Sequence, residues 1–377
     1  MRKLESYVWT ALESCGKLRN VNLLNGKVLR ALAWVAASGL LMSSSPARAQ
    51  SPSPFAVETN IHGVYAYTQP PAGFDPMTAS AAELKLYGYP LRPAANESAK
   101  VFAQWAMVVN PALKRVVPQL LRTNIYHRPA SGMVIQNSGK TISFSNWSGY
   151  GLVQKKPAFT SVAGSWIVPT AQQAFGTCSG GSDYSSQWVG IDGFSNDEAF
   201  QAGSDIEAYC SGGTTETEYN PWIEWLPATE LEFVQSNGNP FPFAPGDYLN
   251  VIVTATDWSG GESVNGTLVF TDFTQNWQVS AAVTAAELGG TFVVGQSAEW
   301  IVERPEVGGS LATLANYVTD PWFGTTAKDV KNKTYTPGGK SATSYNITML
   351  DNGGTPISYV ELFGTDTLWF FDENSAY

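Results

Sequence analysis

From about residue 141 onward, apolar and polar positions alternate with a period of two in short runs. They are "SNWSGYGLV", "FTSVAGSWIVP", "SSQWVGIDG", "AFQAGSDIEAYC", "EYNPWIEWLP", "DYLNVIVTATD", "GTLVFTDFT", "NWQVSAAVT", "SAEWIVERP", "TSYNITML" and "TDTLWFF". Val, Ile, Thr and aromatics fill the runs, and Gly, Pro, Asn and Ser separate them, which is the spacing of strands joined by tight turns. The pattern predicts that 141–377 is one all-β domain, an antiparallel two-sheet β-sandwich of jelly-roll-like form. The pattern upstream is different. "TASAAELKLYGYP" and "ESAKVFAQWAMVVNPALKRVVPQLLRT" read as short helices interrupted by proline, so 50–140 is predicted to be a small, partly helical segment in front of the sandwich. Residues 1–49 end in "ALAWVAASGLLMSSSPARA", an apolar run of about a dozen residues with Lys27 and Arg30 before it and Ala47-Arg48-Ala49 after it. That is the form of a signal peptide, too short for an ordinary membrane span. It predicts a secreted product, extracellular or periplasmic, with no membrane partner.

The alternation also sorts chemistry onto faces. In 199–210, Phe200, Ala202, Ser204, Ile206 and Ala208 share one side, and Gln201, Gly203, Asp205, Glu207 and Tyr209 the other. Trp188, Gly190 and Asp192 fall together in "SSQWVGIDGF", Trp222 and Glu224 in "NPWIEWLP", and Glu299, Ile301 and Glu303 in "SAEWIVERP". Four strands thus offer faces on which carboxylates, an amide and tryptophans could converge on one groove. The plain alternative is a solvated outer face, but large aromatics beside acids suit a ligand groove better than bare surface.

Charge and rare residues narrow the chemistry. Residues 141–377 hold seven Lys/Arg against 26 Asp/Glu, a formal −19 hidden inside a whole-chain −10, whereas 50–140 hold eight against four, or +4. So acidic a body argues against nucleic acid and anionic membranes and suits work in acid. Both histidines, His62 and His127, precede residue 141, which removes histidine bases and histidine metal ligands from the body and leaves carboxylates as its acid and base. No metal and no cofactor is expected. Cys178 and Cys210 lie symmetrically about the turn-like "GFSN" at 193–196, which predicts a disulfide across a hairpin base, with two separate buried thiols as the alternative. The basic 50–140 segment is expected to be a removable propeptide docked on the acidic body, with Lys114, Arg115, Arg122 and Arg128 as docking charges; the alternative is an ordinary N-terminal subdomain. Five N-x-S/T sites, at Asn96, Asn146, Asn265, Asn332 and Asn346, would carry glycans only in a eukaryotic host.

The ordered set "SNWSGYG", "WVGIDG", "QAGSD", "PWIEWLP" and "AEWIVERP" resembles the glutamic peptidases, or eqolisins, over approximately 143–375. The resemblance implies a secreted acid endopeptidase with a Gln/Glu dyad, acting on polypeptides as a monomer. Position by position it puts the catalytic glutamine on Gln201 and the catalytic glutamate on Glu299. It makes Trp147, Trp188 and Trp222 groove aromatics and gives Asp192 and Glu224 the task of orienting the dyad and its water, with Asp205 beside them. Glu207 and Glu303 are expected at the surface or in support of the site. Two departures stand out: Asn220 replaces an aspartate often found two residues before the tryptophan of "W-x-E-W", and the cysteine positions differ from those of the fungal enzymes.

Without metal or histidine, peptide hydrolysis needs a carboxylate to take a proton from water and a donor for the oxyanion. An amide keeps its donor at every acidic pH and adds no charge beside the glutamate, unlike a second carboxylate sharing one proton. Self-cleavage on acidification is expected near 130–145. Two rival readings remain: a sandwich glycoside hydrolase with paired carboxylates such as Glu224 and Glu299, and a non-catalytic carbohydrate-binding or adhesive sandwich. The first gives Gln201 no role, and the second gives none to a removable basic segment.

Overall fold

The computed structural model describes residues 51–129, 141–155, 158–174, 178 and 180–373. The chain divides into two units, Met1–Ala47 and Arg48–Tyr377. The leader predicted at 1–49 therefore lies outside the described residues, as does most of the stretch where self-cleavage is expected. Among the described residues no helix is long and apolar enough to cross a membrane.

The second unit is built almost entirely of antiparallel strands in two layers. One layer runs, edge to edge, through Leu231–Val234, Thr214–Trp225, Phe200–Ser211, Ser182–Ile191, Ser297–Glu303, Trp147–Val153 and Thr343–Leu350. The other runs through Thr367–Asp372, Thr319–Asp329, Phe159–Ile167, Tyr248–Thr256, Asn265–Asp272 and Trp277–Thr284. Pro356–Phe363 pairs with both Thr343–Leu350 and Thr367–Asp372 and joins the layers at a corner. Alternation does the packing. Val189, Ile191, Phe200, Ala202 and Ile206 of the first layer meet Val162, Trp166, Leu249, Val251 and Val253 of the second in one dry core. At roughly 1.5–3 kcal/mol per large apolar side chain removed from water, this interlayer core dominates the fold's stability.

Each run read as a strand in the sequence is a strand in the fold. Thr319–Asp329 was not read as one, because Pro321 and Gly324 break its alternation and its pairing with Phe159–Ile167 shifts register between Phe323 and Thr326. The helices of the N-terminal segment are Ala81–Leu86, started by a Ser80/Glu83 capping box, and Ala99–Val108, capped by Ser98. This segment borders both layers. Tyr65–Tyr67 and Lys114–Arg115 pair with Trp277–Thr284 at the edge of one layer, and Gln119–Arg122 pairs with Leu231–Val234 at the edge of the other. Ile125–Tyr126 then pairs with Glu306–Val307.

Of the four expected docking charges, only Arg128 meets a carboxylate, Glu306 at 3.0 Å. Arg122 donates to the carbonyls of Thr229 and Leu288, Arg115 is buried over the Tyr89 ring at 4.3 Å, and Lys114 is exposed. The segment is held by strand pairing and apolar contact more than by surface charge, as the weakness of exposed ion pairs would require.

Candidate active site

The face of the first layer turned away from the core carries the candidate residues, and strand register sorts them into rows. In the first row Glu224 stands opposite Gln201, Gln201 opposite Gly190, Gly190 opposite Glu299 and Glu299 opposite Gly151. The second row reads Trp222, Gly203, Trp188, Ile301, and the third Asn220, Asp205, Ser186, Glu303, Trp147. Directly opposed residues in a sheet point to the same side, so period-two alternation in five separate strands puts all of these on one face. Gln201 and Glu299 sit two strands apart, on the order of 10 Å between backbones, with a glycine between them. A Cβ on Gly190 would stand 2.9 Å from the Trp188 ring and 3.2 Å from the Gln201 Cβ, so only glycine leaves this gap open. Gly203 likewise has the Trp188 Cβ 2.6 Å from where its own Cβ would be, which lets the Trp188 indole lie flat along the row.

Gln201 is fully buried, and its amide group donates to Glu224 Oε2 and to the main-chain carbonyl of His127. Its Oε1 has no partner among the described residues. Glu224 in turn accepts from the His127 backbone N–H at 3.3 Å, so Glu224 and Gln201 hold the backbone N–H and C=O of one residue of the N-terminal segment. Burial drives Glu224 up to about 7, against the opposing pull of His127 and Gln201. Glu299 is also fully buried, and that burial holds its carboxyl well above the usual range, against the nearby Ser297 hydroxyl and Phe194 N–H.

Asp192 does not touch the dyad. It sits at φ 68°, a left-handed conformation that aspartate tolerates better than most residues. Its carboxylate accepts from the backbone N–H groups of Val294, Gly295, Gln296 and Ser297 at 2.6–3.3 Å. These four residues lead directly into the Glu299 strand. Asp192 therefore fixes where that strand begins and acts on Glu299 through the backbone.

His127 is the feature the sequence did not place. Its ring is buried and stacked on Trp222, with centroids 3.9 Å apart and planes within 3°. Nε2 lies 2.7 Å from Glu230 and 3.7 Å from Asp205, and Nδ1 lies 3.5 Å from Glu303. Burial disfavours charge on the imidazole, but the surrounding carboxyls outweigh it and raise the pKa well above the ordinary value. Burial raises Asp205, Glu230 and Glu303 as well, in each case against the pull of His127. The atoms of His127, Asp205 and Glu230 lie within 4.8 Å of one another. The 2.7 Å contact is a shared proton; two ligands on one zinc, each about 2.0–2.1 Å from the metal, stand farther apart than that.

Trp222 Nε1 donates to Asp205 and Trp188 Nε1 to Glu303, both at 2.8 Å, while Trp147 packs edge-on to Trp188. The tryptophans thus hold the acids as well as lining the face. Glu303 is buried at the centre of this cluster, and Glu207 lies half-exposed toward the hairpin's far end. At that end a disulfide joins Cys178 to Cys210. Asn146 is buried and donates to Glu303 and to the Arg128 carbonyl, so this sequon cannot carry a glycan in the closed fold. Glu230 was missed because it stands just before a short strand, where no alternation marks its face. His127 was missed because the pattern of its own segment gives no hint that it reaches this face.

The profile described as the Peptidase A4 family matches residues 145–368, the whole of the sandwich that carries this face. The chain belongs to that family. Aspergillopepsin-2 of Aspergillus niger is 30% identical over 190 residues, 46% of this chain, and the match spans 60% of that protein's length. Among solved structures, scytalido-glutamic peptidase with a peptide-based transition-state analogue has a TM-score of 0.47 at 22% identity, over 60% of this chain and 98% of that one. Aspergilloglutamic peptidase from Aspergillus niger has a TM-score of 0.41 at 25% identity, over 50% of this chain and 99% of that one. In this A4 family chain, the motifs that carried the resemblance all fall on the face just described.

Proposed function

We propose that this chain is the precursor of an exported, acid-acting endopeptidase in which Glu299 and Gln201 form the catalytic dyad and residues 50–140 are its propeptide. One observation carries the reading: the Gln201 amide donates to a main-chain carbonyl of an extended segment lying over the face that also holds Glu299. An amide so directed can stabilise a carbonyl oxygen as it becomes an oxyanion. Loss of such a donor costs on the order of 10²–10³ in rate, about 3–4 kcal/mol. Glu299 takes a proton from water in its ionised form and returns it to the leaving nitrogen. Burial raises the Glu299 carboxyl while the face is covered, and wetting of the face lowers it toward the ordinary 4.5. Glu224 keeps the Gln201 amide aimed, Asp192 sets the Glu299 strand, and Trp147, Trp188 and Trp222 shape the groove. A glycosidase or a binding module would give the buried, directed Gln201 amide no task.

The test is digestion of a denatured protein across pH 2–7, with and without a pepstatin-type inhibitor, by the acidified enzyme and by Glu299→Gln and Gln201→Ala variants. The expected result is acid activity that ignores the inhibitor and is lost in both variants with the fold retained. Full activity in either purified variant sinks the dyad. A Glu299→Gln precursor that processes alone at the normal rate excludes self-cleavage.

A further inference from the structure

The segment over the dyad is bound as a substrate would be, and that says what the enzyme prefers to cut. The His127 N–H donates to Glu224 and the His127 carbonyl accepts from Gln201, while the chain continues past Asn146, whose amide holds the Arg128 carbonyl at 2.7 Å. Strand pairing fixes the approach, because Ile125–Tyr126 is laid antiparallel on Glu306–Val307. The His127 side chain fills a pocket with an aromatic floor, Trp222, and three acidic walls, Asp205, Glu230 and Glu303. An imidazole satisfies such a pocket twice, by stacking its plane on the indole and by pairing Nε2 with Glu230 at 2.7 Å, with Nδ1 3.5 Å from Glu303. A leucine side chain would leave Glu230 Oε2 without the partner that the ring gives it, and a glutamate would add a fourth carboxyl.

We propose that this pocket is a subsite for a basic, planar side chain on the residue whose carbonyl is attacked, and that His127–Arg128 is the first bond the enzyme cuts. The inference rests on the dyad reading above and adds the substrate class and the bond. In the step, water oxygen adds to the His127 carbonyl carbon, Glu299 takes the water proton, and the C–N bond breaks. His127 is left as a carboxylic acid, and Arg128 receives the proton on its amino group. The cut falls just N-terminal to the 130–145 window expected from the sequence.

Two measurements test it. Internally quenched peptides identical except for His, Arg, Leu or Glu at the position before the bond are assayed with the processed enzyme, and the full-length precursor is acidified and followed by intact mass. The His peptide is expected to exceed the Leu peptide at least tenfold in kcat/KM, with that ratio shrinking in Glu230→Gln, and the first new N-terminus is expected to be Arg128. Equal kcat/KM for the His and Leu peptides overturns the subsite. A first N-terminus elsewhere overturns the assignment of the bond. Both failures leave the dyad intact, whereas no cleavage of any peptide, or undiminished cleavage by Glu299→Gln, overturns the dyad itself.

Discussion

Replacing Asp320 with asparagine should turn a fold built for acid into one that tolerates neutral pH better. Asp320 lies fully buried in Thr319–Asp329 and accepts from Trp322 Nε1 at 2.7 Å, beneath the stacked pair Trp166 and Trp322. Burial raises its carboxyl from 3.8 to about 8, only partly opposed by the Trp322 bond. A raised carboxyl binds its proton more tightly folded than unfolded. Its contribution is therefore fully present below about pH 4 and is lost progressively as pH rises toward 8. Between pH 3 and pH 7 that is roughly three pKa units at about 1.4 kcal/mol each, or about 4 kcal/mol, a large share of the 5–15 kcal/mol that typically holds a domain together. Asparagine is neutral throughout and keeps an acceptor for the indole. Urea unfolding midpoints at pH 3, 5 and 7, in a Glu299→Gln background to prevent self-digestion, measure the difference; every other carboxyl titrates equally in both proteins and cancels. The protein with Asp320 should lose about 4 kcal/mol more over that range than the Asp320→Asn variant. Parallel pH profiles for the two proteins would refute the reasoning.

Two further substitutions probe the scaffold of the site. Asp192→Ala removes the acceptor shared by four backbone N–H groups and should lower stability by about 2 kcal/mol or more while reducing kcat through a displaced Glu299 strand; an unchanged melting temperature and an unchanged kcat would show that the loop holds itself. Gly190→Ala puts a methyl 2.9 Å from the Trp188 ring, inside the gap between Gln201 and Glu299. It should cost about 1–3 kcal/mol in stability and most of the peptidase activity, so a folded variant with wild-type kcat/KM would contradict the role given to the gap.

The amino-acid pattern gave away the faces but not what covers them. Alternation in four separate runs put Gln201, Glu224, Glu299, Trp188 and Trp222 on such faces, because a strand's period of two leaves each side chain only two directions, and the family resemblance added Trp147. It also marked the hairpin closed by Cys178 and Cys210. The reasoning failed where the decisive contact is long-range and local pattern is silent. Excluding histidine from the body was correct for residues 141–377, yet His127 reaches the site from a segment that was separated on its helical pattern and its charge. Similarly, Lys114, Arg115 and Arg122 looked like docking charges because net charge counts residues without saying which way they point. In the fold two of them satisfy carbonyls and an aromatic ring, and the binding comes from paired backbone.

That pairing has a cost for whatever remains after processing. Gln119–Arg122 occupies the outer side of Leu231–Val234, whose other neighbour is Thr214–Trp225. A cut at His127–Arg128 followed by departure of the segment leaves a four-residue rim of unpaired amides and carbonyls at the border of the layer. Such a rim invites any extended chain to add itself as a new strand. Here the rim carries Glu232 and follows Glu230, so it is short and acidic, a combination that discourages self-association at neutral pH and protects less well in acid as those carboxyls lose charge. If the segment departs as proposed, what remains should therefore be most prone to join copies of itself, or to hold an extended polypeptide beside the groove, in acid.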